Sequence, residues 1–144
     1  MPPIYVETDN SNAKAKLYDA SKAGQAATKA EGKIQAVVKK ILDKDPGFTT
    51  IKSNGAKGYV VKLKLSKLEV ENYKTKCTLT GEIVRYPKAP SNKGKGDEMV
   101  SLGWHGSATA DGTSEGSLVD CVEAIAEGMM PAGIKAMNTD FLRR

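Results

Sequence analysis

Aromatic side chains are scarce in this chain of 144 residues: one Trp, two Phe and five Tyr, 6% of the total. Single-stranded RNA readers stack bases on sheet-borne aromatics, so the shortage argues against that class. Histidine is nearly absent. His105 stands without Cys, Asp or Glu at ligand spacing, which makes a zinc-type site a poor reading, and no neighbouring carboxylate or nucleophile offers it general acid–base work. There are only two cysteines, Cys77 and Cys121. That is too few for a disulfide scaffold; two buried thiols are the plain reading, a disulfide the next, metal binding the last. No apolar run approaches the ~20 residues that span a bilayer. Met1-Pro2-Pro3-Ile4-Tyr5-Val6-Glu7 has neither a charged leader nor a long apolar stretch, so no signal peptide is visible. The expectation is a cytoplasmic or virion- or assembly-associated protein.

What is present suits one folded domain over 1–144. Hydrophobic residues make up 40% and charged residues 27%, an ordinary globular balance in a chain long enough to bury a core. Lys and Arg number 22 against 17 acids, a net charge of +5. That excess permits attraction to nucleic acid or anionic surfaces without demonstrating it.

The chain is organised around Tyr59–Glu71 and Lys74–Tyr86, two long strands joined by a tight turn at Asn72–Tyr73. Tyr59, Val61, Leu63 and Leu65 alternate with polar residues, so one row faces a core and the other faces water. The row then slips to Leu68 and Val70. A one-residue slip would turn the strand over, which predicts a β-bulge at Ser66–Lys67. In the second strand Cys77, Leu79 and Ile83 form the inward row. Gly81 lies in that row, where a missing side chain allows close approach.

Before the hairpin, Ile4–Glu7 reads as an edge strand or an arm that pairs with a neighbour. Asp9-Asn10-Ser11-Asn12 offers N-cap residues for a long helix carrying Ile34, Val38 and Ile41 at three/four spacing. Its first half is rich in small residues, Ala20, Gly24 and Ala27 among them, suited to close packing on the sheet or on a second subunit. Asp45-Pro46-Gly47 ends the helix; Phe48–Lys52 reads as a strand and Ser53-Asn54-Gly55 as a turn. After Tyr86 the segment 87–97 is an exposed basic loop with Lys88, Lys93 and Lys95. Met99–Ala110 is the next strand, with Trp104 inward and His105 on the opposite face. Ser117 and Asp120 fit a capping box for a second helix whose apolar face is Leu118, Val122, Ile125 and Met129. Pro131 and Gly133 should kink or end it, and Ile134–Met137 resume it.

The fold class that follows is α+β: an antiparallel sheet of about four to five strands, with a long N-terminal and a C-terminal helix packed on one face (β-α-β-β-β-β-α). No catalytic, cofactor or metal constellation emerges. Gly112-Thr113-Ser114-Glu115-Gly116 matches G-x-S-x-G, but the sole histidine precedes the serine and the strands are antiparallel, so it reads as a turn. Lys93-Gly94-Lys95-Gly96 is too short for a phosphate-binding Walker loop. Lys62, Lys64, Lys74 and Lys76 should share the outer hairpin face and, with the loop lysines, form candidate phosphate or partner contacts. Ile4, Tyr5, Val6, Ala20, Gly24 and Ala27 are the candidates for self-association.

The short N-terminal strand, the alanine-rich helix running into Asp45-Pro46-Gly47-Phe48-Thr49-Thr50-Ile51, the hairpin with Leu79-Thr80-Gly81-Glu82-Ile83-Val84 and the closing helix together resemble small cell-envelope domains. These are the curli-secretion and penicillin-binding-protein-activator type, related to the TolB N-terminal domain. The element order is also similar to small tail-completion proteins of phages. Either resemblance implies a non-enzymatic adaptor or assembly subunit, and neither carries over a functional residue. The expected function is therefore a structural or assembly subunit, oligomeric and acting through protein–protein contacts, with a nucleic-acid-binding module as the alternative.

Overall fold

The computed structural model describes residues 3–8, 20–87, 99–112 and 115–144, with the side-chain surroundings of 20–31, 68, 70, 71, 99, 101, 102 and 115 outside the description. Five strands and two helices follow in the order β1 (Ile4–Thr8), α1 (Ala20–Asp43), β2 (Phe48–Thr49), β3 (Gly58–Glu71), β4 (Lys74–Tyr86), β5 (Met99–Asp111) and α2 (Glu115–Arg143). The strands form one sheet in the order β2-β1-β3-β4-β5. The expected fold class holds, with one change: the sheet is mixed. β3, β4 and β5 are antiparallel, whereas β1 runs parallel to both β2 and β3. Helix α1 carries the chain back along the sheet between β1 and β2, and such a crossover returns a strand parallel to the first.

The hairpin forms as its alternation predicts. Tyr59, Val61, Leu63 and Leu65 are buried, as are Cys77, Leu79 and Ile83 opposite them. Asn72 and Tyr73 both adopt positive φ, 52° and 59°, the geometry of a two-residue type I′ turn. The ladder shifts between Leu65 and Lys67. Ser66 is the extra residue, and its hydroxyl donates to the Thr78 carbonyl at 3.1 Å. A second bulge lies between β4 and β5: Gly81 pairs with Trp104 and Ile83 with Ser101, leaving Gly103 at φ 70° on the longer strand. A bulge of this form places a glycine in the left-handed region.

Both helices lie on the inward face and share one core with it. Ile34, Val37, Val38 and Leu42 of α1 join Leu118, Val122, Ile125, Met129 and Met137 of α2 and the inward rows of the strands. Lys33 of α1 meets Glu123 of α2 at 2.5 Å. Trp104 is wedged between sheet and helix. Its indole N–H donates to the Met129 carbonyl at 3.0 Å. Its ring lies over Gly81 from the sheet side and against Gly133 from the helix side, so that a Cβ at either glycine would overlap it. The close approach foreseen at Gly81 is made by this indole.

Several expectations change. The two cysteines are not free thiols: Cys77 of β4 and Cys121 of α2 form a disulfide, with Cα atoms 6.4 Å apart. Both belong to inward rows, and α2 packs directly on β4, which brings them within bonding reach. Ile4–Glu7 is not an edge strand, because β2 caps its outer side. β2 itself is only Phe48–Thr49; the Thr49 hydroxyl accepts the Ile51 N–H at 3.1 Å and turns the chain away. Ser117 is no N-cap, since α2 begins at Glu115 and the Ser117 hydroxyl donates to the Asp111 carbonyl at 2.9 Å. Pro131 does not end α2, which continues to Arg143; contacts of Gly133 and Met137 with the core hold the helix beyond the interruption. The N-cap cluster at 9–12 and the basic loop residues 88–97 lie outside the described residues.

Candidate functional site

With both helices on the inward face, no described element covers the opposite face of β3, β4 and β5. Alternation sends Lys62, Lys64, Lys74 and Lys76 to it, as the sequence suggests, but the register also brings acids there. Lys62 stands opposite Glu82, Lys76 opposite Glu69, Lys74 opposite Glu71, and Lys64 opposite Thr80. Lys67, moved outward by the bulge, pairs with Glu69 at 3.1 Å. Opposite charges on directly facing strand positions attract one another. Among the described residues the face is therefore a checkerboard of both signs, with no unbroken basic track for a phosphate backbone. A shallow depression on it is bounded by Lys67, Glu69, Lys76, Thr78, Ser107 and Thr109. Lys88, Lys93 and Lys95 lie outside the described residues.

His105 is exposed on the same face, opposite Thr80. Its Nδ1 is 2.7 Å from the Gly103 carbonyl oxygen; a carbonyl only accepts, so Nδ1–H donates. The ring is turned back on its own strand, and no acid or nucleophile is hydrogen-bonded to it among the described residues. Among those residues no group of three or more His, Cys, Asp or Glu converges as metal ligands, and no helix is long and apolar enough to cross a membrane.

At the other end of this face Tyr5 packs edge-on against Tyr86 with ring centres 5.0 Å apart, and the Lys52 ammonium lies 5.3 Å from the Tyr86 ring. Tyr5 is only 6% exposed; burial, followed by the charge of Glu7, raises its hydroxyl above the ordinary tyrosine value. Ile4 and Val6 belong to the core on the inward side. The three β1 residues put forward for self-association are thus interior, because β1 is an inserted strand with neighbours on both sides. Ala20, Gly24 and Ala27 fall in α1, in the part whose side-chain surroundings lie outside the description.

A polar cluster that joins α2 to the sheet was not foreseen. At the C-terminal end of α2, Asp140 accepts from the Tyr59 hydroxyl at 2.7 Å and from Arg85 twice, Nε at 3.1 Å and Nη2 at 2.6 Å. Arg144 donates to the Gly58 carbonyl at 2.9 Å and lies 5.4 Å from the Tyr59 ring. The Arg85 guanidinium, aided by the Tyr59 hydroxyl, holds the Asp140 carboxyl below the ordinary carboxylate range. Burial, then the bond to Asp140, raises the Tyr59 hydroxyl well above its ordinary value. A carboxylate kept ionised and already accepting three charge-assisted or hydroxyl bonds is a poor proton acceptor for a substrate. The cluster is a clasp between helix and sheet. Tyr59, a hydroxyl-bearing residue in an otherwise aliphatic row, was its one signal in the sequence, because a buried phenol needs a partner.

No protein-family model matches the chain, and no curated protein matches it. Among solved structures it is similar to a candidate lipoprotein from Caulobacter crescentus CB15, with 12% identity, TM-score 0.45, and coverage of 96% of this chain and 92% of that one. It is also similar to the PelC dodecamer from Paraburkholderia phytofirmans, with 10% identity, TM-score 0.40, and coverage of 90% and 83%.

Proposed function

We propose that this protein is a non-enzymatic subunit of a protein assembly, acting by presenting a rigid sheet to partners that include further copies of itself. The observation that carries the reading is the one-sided covering of the sheet: α1 and α2 both pack on the inward face, and among the described residues no element covers the outward face, with the 13-residue strand β5 at its margin. An antiparallel sheet can keep one face in water, and a face so kept is available to a partner. Tyr59 and Asp140, both shifted from their ordinary values, are engaged with each other and with Arg85 in a clasp between helix and sheet. The mixed charges of the outer face suit a protein partner better than a nucleic acid, whose phosphates favour one sign.

The Cys77–Cys121 bond supports an oxidising, extracytoplasmic compartment over the cytoplasm suggested by the N-terminal residues, because disulfides persist where thiols are not kept reduced. An envelope adaptor or assembly subunit meets both conditions.

Native mass by light scattering after size exclusion, at low and at moderate salt, tests the assembly reading. A defined oligomer whose mass is unchanged by salt supports it. A monomer of 15.4 kDa at every concentration would remove self-association.

A further inference from the structure

We propose that β5 is a self-pairing edge, joining antiparallel to β5 of a second copy so that two sheets become one across a two-fold axis at Ser107. This rests on the assembly reading above and names the surface that performs it.

The strand is last in the sheet order, and among the described residues nothing pairs with its outer side. Exposed edges are ordinarily blunted by lysine, proline, shortness or bulges. β5 is long, 13 residues, and contains no Lys, Arg or Pro; its one charge is Asp111 at the end. The lysines are instead on β4, which is paired along both sides, and on β3 beyond Val61, where the pairing with β1 has ended. The two irregularities of β5, at Gly103 and again between Met99 and Ser101, lie in its first half, so the stretch from Trp104 to Asp111 pairs with β4 without interruption. From Trp104 to Ala110 β5 therefore has neither charge, proline nor bulge to protect its outer side.

Geometry then limits the register, and the side chains decide within that limit. Two antiparallel copies of one strand in a continuous sheet are related by a two-fold axis normal to that sheet, which keeps the helix-covered face of one copy beside that of the other. Residues directly opposite must then have the same parity. A centre at Ser107 satisfies this and places Ala108 opposite Gly106, Thr109 opposite His105, and Ala110 opposite Trp104. The small side chains meet small or flat ones, and the hydroxyls and imidazole of the outer face meet each other. Asp111 falls opposite Gly103, and the two Asp111 carboxylates are held roughly 27 Å apart at about 3.4 Å per residue. A self-complementary, nearly uncharged edge favours a second copy over a foreign strand, which a charged edge would be used to select.

Cysteine pairing tests the register, since the native cysteines are already bonded to each other and an introduced thiol stands alone. Directly opposed strand positions lie about 4.5–5.5 Å apart at Cα, within disulfide reach, whereas Thr109 and its copy are offset by four residues, roughly 14 Å. Under mild oxidation Ser107→Cys is expected to form a covalent dimer at least tenfold faster than Thr109→Cys. Ser107→Lys, which sets two ammonium groups face to face, is expected to move the native mass from an oligomer toward 15.4 kDa. Should that variant fail to fold by circular dichroism, the cysteine pair alone decides. If the wild type is oligomeric but Ser107→Cys gains no advantage over Thr109→Cys, the β5 proposal fails and assembly proceeds through another surface. If the wild type is monomeric throughout, both fall.

Discussion

Tyr73 is 88% exposed at the tip of the β3–β4 hairpin and adopts φ 59°. A bulky L-residue in the left-handed region costs roughly 1–2 kcal/mol, and the second position of a type I′ turn ordinarily holds glycine. Asn72–Tyr73 accepts that cost, and the ring stands exposed among the described residues. Tyr73→Gly is expected to raise unfolding stability by about 1 kcal/mol, the strain released being only partly offset by glycine's greater freedom when unfolded. Urea denaturation with an unchanged m-value would show it. The Trp104 socket responds in the opposite sense. A methyl at Gly81 overlaps the indole and the Leu63 side chain, two groups fixed in a close-packed core. Gly81→Ala should destabilise by about 1–3 kcal/mol, the ordinary range for overpacking, with a shift in Trp104 fluorescence.

At the scale of elements, the clasp determines whether the last turns of α2 stay on the sheet. Asp140→Asn keeps the size but loses the ionic part of the bond to Arg85; a cost of about 1–2 kcal/mol is expected, with faster amide exchange over Asn138–Arg143. The pH dependence has a definite sign. The folded Asp140 carboxyl titrates below its unfolded counterpart, so its stabilisation is fully present above the ordinary carboxylate value near 3.9 and is lost as pH falls through the lower, folded value. The acid-unfolding curve of Asp140→Asn should be flatter in that window. Tyr59 acts at the other extreme: its folded hydroxyl titrates above the unfolded one, so its contribution declines as pH rises past about 10. Period and turn chemistry made the hairpin, its bulge, β5 and the apolar face of α2 legible from Tyr59–Leu65, Asn72–Tyr73 and Leu118–Met129. Local patterns could not place Ile4–Glu7, whose four alternating residues fit an edge or an interior strand equally well. Nor could they foretell the clasp, whose members Tyr59, Arg85 and Asp140 meet only when the end of α2 reaches the start of β3. The lysines were correctly assigned to one face, but the acids opposite them became visible only once the bulge at Ser66 had fixed the register.

For the whole molecule, the disulfide is the longest covalent constraint, closing a 44-residue span from β4 to α2. Limiting the unfolded chain over such a span is worth about 4 kcal/mol in the loop-entropy account. The double substitution Cys77→Ala with Cys121→Ala should lower the thermal midpoint substantially, and reduction of the wild type should have the same effect. Calorimetry of the three forms checks this. The position of β1 has a different consequence, one of timing. The β3–β4–β5 meander is made of neighbours in the chain, whereas β1 pairs with β3 across more than fifty residues, Tyr5 meeting Gly58. Contacts that close long loops form late. The segment made first on the ribosome is therefore expected to be among the last to find its place, after the hairpin has supplied the edge it binds. Pulsed hydrogen exchange during refolding would show amides of Tyr59–Leu65 protected before those of Ile4–Thr8. Until then the β3 edge and the apolar side of β1 stand open together, and the nascent chain passes through an interval in which a neighbour's strand can take the seat meant for its own.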